Sequence, residues 1–168
     1  MNVHPKIEAA LAEQRPIRVV AHASLAQPIR SPADFAKALG YPIVRIVKTV
    51  LLANAGVTSD QRSLSHAGQY AAVSVPSSSR INLARVSELM GWPRAELSSK
   101  GELQRLLDYP PGGVSPFGLG NIPLIFDESL LGFDSILVGA GVVGAELEVR
   151  PRALLDVAQG QVAQIVLT

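Results

Sequence analysis

Lys48 interrupts an apolar run, Arg45-Ile-Val-Lys-Thr-Val-Leu-Leu-Ala53, whose β-branched residues read as a strand. Alternate side chains of a strand share a face, and those sharing Lys48's are Ile46, Val50 and Leu52. A lysine on such a face costs stability unless its ammonium finds a partner; a phosphate or an acyl substrate would supply one. The competing reading is a lysine that alternation merely turns to solvent. A second candidate is Gly112-Gly-Val-Ser-Pro-Phe-Gly118, inside a Pro/Gly-rich stretch from Tyr109 to Gly120 that is too long for a simple connector. Paired glycines expose backbone N–H groups, which is how a chain cradles a carbonyl or phosphate oxygen, although a plain surface turn has the same composition.

Two tempting motifs do not survive their context. Ser115 lacks the G-x-S-x-G spacing of a nucleophile elbow, and Pro116 removes the N–H that would come after the nucleophile in an oxyanion hole. His22 or His66 would have to serve as its base, and nothing in the sequence places either. Gly139-Ala-Gly-Val-Val-Gly144 fits G-x-G-x-x-G, but a dinucleotide site needs a helix to begin there. The chain continues instead as Ala145-Glu-Leu-Glu-Val149, an alternating strand pattern, and only 24 residues remain beyond Gly144. A glycine-rich bend between two strands, allowing close backbone approach, is the better reading. Cysteine is absent, and His4, His22 and His66 are too few and too scattered to suggest a metal site.

The elements that must position these residues are legible from pattern. A helix is expected over 5–14, a strand over 17–22, and a helix opened by Ser31-Pro-Ala-Asp34 and closed by Gly40. After the strand over 45–53 come a turn at Asn54-Ala-Gly56 and a strand over 70–75. Helices are expected next over 82–90 and 100–107, strands over 122–126, 135–138 and 145–149, a helix over 151–158 and a strand over 162–167. The order lacks strict βαβ alternation. It implies an α+β fold with a curved, largely antiparallel mixed sheet, barrel-like and flanked by helices, in a single domain over 1–168.

Composition sets outer limits. At 168 residues, 48% hydrophobic and 17% charged, the chain can bury a sizeable core. No apolar run approaches the roughly 18 residues needed to cross a bilayer, and the N-terminus is too acidic for a signal peptide, so a cytoplasmic protein is expected. The net charge is +1, divided unevenly: residues 1–109 carry +5 and residues 110–168 carry −4. The N-terminal two-thirds can therefore present a basic face to a polyanion, although solvated helix faces would account for the same charges.

Taken in order, four features resemble the YbaK/EbsC-type aminoacyl-tRNA editing family, a fold also found as an insertion domain in bacterial prolyl-tRNA synthetases. They are the helix ending Lys37-Ala-Leu-Gly40, the strand Val47-Lys-Thr-Val-Leu-Leu52, the loop Gly112-Gly-Val-Ser-Pro-Phe-Gly118, and Ile136-Leu-Val-Gly-Ala-Gly141 with Gly144 and an alternating strand. The resemblance runs from about residue 5 to about residue 165.

The resemblance implies hydrolysis, with neither metal nor cofactor, of the ester joining a wrong amino acid to the 3′-terminal adenosine of a tRNA. A tRNAPro-type substrate carrying Cys, Ala or Ser is expected, with an aminoacyl-tRNA synthetase as a possible partner and no membrane. It makes Lys48 the catalytic residue, holding the terminal phosphate or sugar. The substrate-binding set is Thr49, Gly112, Gly113, Val114, Ser115, Pro116, Gly139, Gly141, His22 and Ser31. Fixed N–H donors at Gly112 and Gly113 would stabilise charge on the carbonyl oxygen, and the ribose 2′-hydroxyl or a water would handle the proton. Deacylases of the Cys-tRNA type typically show S-G-G-K-R-G at the last glycine bend, where this chain has Gly139-Ala-Gly-Val-Val-Gly144. Its small residues leave room for a wider side-chain pocket. The alternative to an enzyme is a non-catalytic member that binds tRNA ends or nucleotides.

Overall fold

The computed structural model describes residues 3–11 and 18–168. Strands β1 to β8 are Arg18–Ala21, Val47–Asn54, Tyr70–Pro76, Ala95–Leu97, Leu124–Asp127, Ile136–Gly139, Ala145–Val149 and Gln161–Ala163. Helices α1 to α6 are Pro5–Ala10, Pro32–Leu39, Ser59–Leu64, Leu83–Met90, Lys100–Leu107 and Pro151–Ala158. The strands form two sheets. One has the order β4-β2-β3-β5-β8, antiparallel at β4-β2-β3 and parallel at β3-β5-β8; the other is antiparallel, β1-β7-β6.

The mixed, mostly antiparallel α+β architecture agrees with the sequence pattern. The barrel-like closure does not: among the described residues the only backbone pairing between the two sheets is an isolated bridge between Ile46 and Leu137, and neither sheet closes on itself. The physical reason is that β3 is buried along its whole length and takes β5 and β8 on its far side in parallel, which extends the sheet outward.

Among the described residues three apolar clusters hold these layers. The largest lies between the sheets, with Leu51, Tyr70, Phe126, Leu147 and Leu154. A second, with Leu52, Val73, Val86 and Trp92, covers the other face of the β2–β3 pair. The third is small and joins α2 to both sheets through Val20, Phe35, Ile46 and Leu137. The N-terminus of α2 is fixed by the expected capping box, in which the Ser31 hydroxyl accepts from the Asp34 N–H at 3.4 Å and the Asp34 carboxylate accepts from the Ser31 N–H at 3.0 Å. Gly40 ends the helix in the left-handed conformation.

Several boundaries shift. Residues 43–45 form a short 3₁₀ turn, so β2 begins at Val47, and Asn54 is its last residue rather than the start of the turn. The final strand ends at Ala163, with a separate bridge from Ile81 to Val166. The expected first helix is observed over Pro5–Ala10, while 12–14 and Ile17 lie outside the described residues. Both α3 and β4 are additional to the expected elements.

Candidate functional site

The N-terminal end of β2 is where Lys48 escapes the problem posed by its oily face. Leu52 is fully buried and Val50 partly so, but Lys48 sits near the strand's end, where that core runs out. Its Nζ donates to the Ser79 carbonyl at 2.6 Å, a neutral partner that leaves the ammonium charge uncompensated. No carboxylate among the described residues pairs with it. Thr49, next along the strand, is buried and shares a hydrogen bond with the Ser74 hydroxyl at 2.8 Å.

Lys48 and Thr49 open into a cleft of about 400 Å³. Its walls come from widely separated parts of the chain: His22 after β1, Ile29 to Pro32 and Phe35 at the start of α2, Gly112 and Val114 from the Pro/Gly-rich loop, Gly139 at the end of β6, and Val143 and Glu146 around the β6–β7 bend. Of the residues expected from sequence, Lys48, Thr49, Gly112, Val114, Gly139, His22 and Ser31 are brought together here.

Four others lie elsewhere. Ser115 is fully buried, its hydroxyl accepting from the Phe117 N–H at 3.3 Å, so it braces the loop from within. Pro116 lines a separate hollow near Gln159. Gly113 packs against the bend, where an added Cβ would lie 2.9 Å from the Val142 carbonyl oxygen. Its N–H donates to the Pro110 carbonyl at 3.0 Å, so of the two amide donors expected for an oxyanion, Gly113's is spent inside the turn. Gly141 has φ +76° and faces away, toward His4, Ile7 and Tyr109. Of the other histidines, His66 borders a distant cavity of about 260 Å³, and His4 caps α1.

The small residues of the bend do not widen the cleft, contrary to the sequence expectation. A Cβ on Gly139 would meet the Val114 carbonyl oxygen at 2.0 Å, and one on Gly141 would meet His4 Cβ at 2.5 Å. Backbone and neighbouring side chains already fill that space. The bend itself is a connection between antiparallel strands, with Gly139 paired to Glu146, as its alternating continuation predicts.

Glu146 is the residue that sequence reading passed over. It shares its β7 face with Glu148 and pairs laterally with Val20 and Gly139. Its Oε2 is 2.6 Å from His22 Nε2, and the His22 ring packs edge-on against Phe35. Burial pushes the Glu146 carboxyl up from its ordinary value, and the bond to His22 works against that shift. The alternation Glu146-Leu-Glu148 was a usable signal, since it puts both acids on one face of a strand, but nothing in it says that His22 and α2 cover that face. Among the described residues no three His, Asp or Glu side chains converge as a metal site would need.

Residues 26–157 match the aminoacyl-tRNA editing domain, and this span includes every described wall of the cleft except His22. The chain belongs to the aminoacyl-tRNA editing domain family. One curated relative, "Putative Cys-tRNA(Pro)/Cys-tRNA(Cys) deacylase EbsC" of Enterococcus faecalis, is 29% identical over 136 residues, covering 80% of this chain and 76% of its own. A solved hypothetical protein is 30% identical with a TM-score of 0.78, covering 96% of this chain and 99% of the other. A crystal structure titled as a "putative trans-editing enzyme for prolyl tRNA synthetase" shares the fold of this editing domain, with a TM-score of 0.79, 23% identity and 99% of both chains covered. Among the described residues no helix is long and apolar enough to cross a membrane.

Proposed function

We propose that this editing domain hydrolyses, in trans, the ester of a mischarged tRNA of the tRNAPro type carrying a small amino acid such as Cys, Ala or Ser. The observation that carries this reading is the convergence of Lys48, Gly112, Val114 and Gly139 on one cleft, from three distant stretches of sequence. Lys48 supplies a cation whose partner is a neutral carbonyl, suited to the phosphate beside the terminal adenosine. The Gly112 N–H, which no described residue engages, is the donor available to charge developing on the ester carbonyl. Anchoring at one end and polarising at the other orients the ester for attack by water, with the ribose 2′-hydroxyl or a second water taking the proton. The named deacylase among the relatives supports the reaction class.

One observation favours a second reading. Val143, 71% exposed at the rim of the cleft, is apolar where Cys-type relatives typically carry a basic residue, which suits a domain that binds acceptor ends without turning them over. Deacylation of Ala-, Cys- and Ser-tRNAPro, with Pro-tRNAPro as control, separates the two. Turnover of one mischarged species that collapses in Lys48→Ala supports editing and names the substrate. Retained binding of the tRNA end with no turnover across the panel supports the second reading instead.

A further inference from the structure

The cleft is electrically two-sided. Its cations are Lys48 and Arg30, and among the described residues lining it Glu146 is the one carboxylate. The tRNA end carries no cation of its own, since its phosphates are anionic and its ribose hydroxyls and base amines are neutral donors, so it offers a partly buried carboxylate no counter-charge. An aminoacyl ester is different: beside the phosphate it carries an α-amino group, which is a cation below its pKa of roughly 7.7–8.0.

The placement of Glu146 suits that group. Its Oε2 is held by His22 at 2.6 Å, whereas its Oε1 has no hydrogen-bond partner among the described residues and is not sealed from the cleft. Gly139 is its direct neighbour across the β6–β7 pair. Into the space beside Gly139 projects the Val114 carbonyl oxygen, which accepts from no described backbone N–H. Two acceptors, one charged and one neutral, thus flank one glycine at the cleft wall.

We propose that Glu146 Oε1 and the Val114 carbonyl form the subsite for the α-ammonium of the aminoacyl group. His22 is a positioning residue: with Glu146 ionised its Nε2 must be the donor, and that bond turns Oε1 toward the cleft. The assignment rests on the editing reading above, and it orients the ester, since amine at Glu146 and phosphate at Lys48 fix both ends of the substrate.

The test uses binding, so that it stands apart from turnover. The probe is a CCA trinucleotide carrying alanine on its terminal adenosine through a non-hydrolysable 3′-amide. Its propionyl counterpart lacks only the amine, and unacylated CCA is the reference. By calorimetry at pH 6.5 the wild-type chain should bind the alanyl probe about ten- to a hundredfold more tightly than the propionyl one, the range for a lost charge-assisted hydrogen bond. Glu146→Gln should weaken the alanyl probe alone and close most of that gap, and His22→Phe should narrow it partly. Equal binding of alanyl and propionyl probes by the wild type overturns the ammonium subsite while leaving the editing reading intact. Failure of all three probes to bind overturns both.

Discussion

Gly139 and Val114 approach so closely that a Cβ on the glycine would lie 2.0 Å from the Val114 carbonyl oxygen and 2.8 Å from its carbonyl carbon. Backbone atoms cannot give way as a flexible side chain can, so the contact locks the Pro/Gly-rich loop against the end of β6. Gly139→Ala should therefore force the loop outward, costing about 1–3 kcal/mol, the range for overpacking. A urea titration would show the lowered midpoint. Gly139→Ser, which restores the first residue of the Cys-type bend, should behave the same way and gain no Cys-tRNA deacylation. A stable, Cys-active serine variant would show that the loop moves freely.

This contact also marks where sequence reading stopped. Lys48 was legible because a charge on an otherwise apolar strand face is a local conflict, visible without any partner. Ser31 and Asp34 were legible as a cap for the same reason, their spacing carrying the mechanism. The packing of Gly139 against Val114 and the pairing of His22 with Glu146 involve residues 25 and 124 positions apart in the chain, and no local pattern encodes which backbone crosses which. Glycine at 139 signalled close approach but not whether the space was open or filled. The parallel placement of β5 and β8 was hidden for a related reason, because a short apolar run reads alike in either direction of pairing.

Lys48 should separate affinity from stability. Its only protein partner among the described residues is the Ser79 carbonyl, so Lys48→Ala should lower folding stability by no more than about 1.5 kcal/mol. Binding of a CCA trinucleotide should fall much further. If the ammonium neutralises a phosphate, the slope of log K against log salt should drop by about 0.7 in the variant, the value for one contact on a single strand. An unchanged slope with weaker binding would assign Lys48 to the sugar or the ester carbonyl.

Ser31 lines the cleft, but its hydroxyl is committed to the Asp34 N–H at the start of α2. Ser31→Ala should cost about 1 kcal/mol of stability, as the loss of such a cap does, and leave the CCA affinity within about twofold. Ser31→Asn should recover most of the stability. A large affinity loss in Ser31→Ala with unchanged unfolding would instead make the hydroxyl a substrate contact.

Far from the cleft, Glu102 should govern the acid limb of stability. Burial raises its pKa, but hydrogen bonds from Arg62 and Tyr70, with further help from the Ser99 N–H, outweigh burial and hold the carboxyl at about 2 against an ordinary 4.5. The same pair raises the Arg62 guanidinium through its bond to Glu102. A carboxylate whose pKa is depressed on folding stabilises the fold fully above its unfolded value and loses that contribution as pH falls toward the folded one. Stability should therefore decline from about pH 4.5 down to about pH 2, and Glu102→Gln should flatten that decline. At pH 7 the same variant should be less stable by about 3 kcal/mol, because it leaves the buried Arg62 without its main counter-charge. Urea midpoints between pH 3 and pH 7 read both effects. If the wild type and Glu102→Gln declined in parallel, the acid sensitivity would belong to another carboxylate, whereas converging midpoints toward pH 3 assign it to this buried pair.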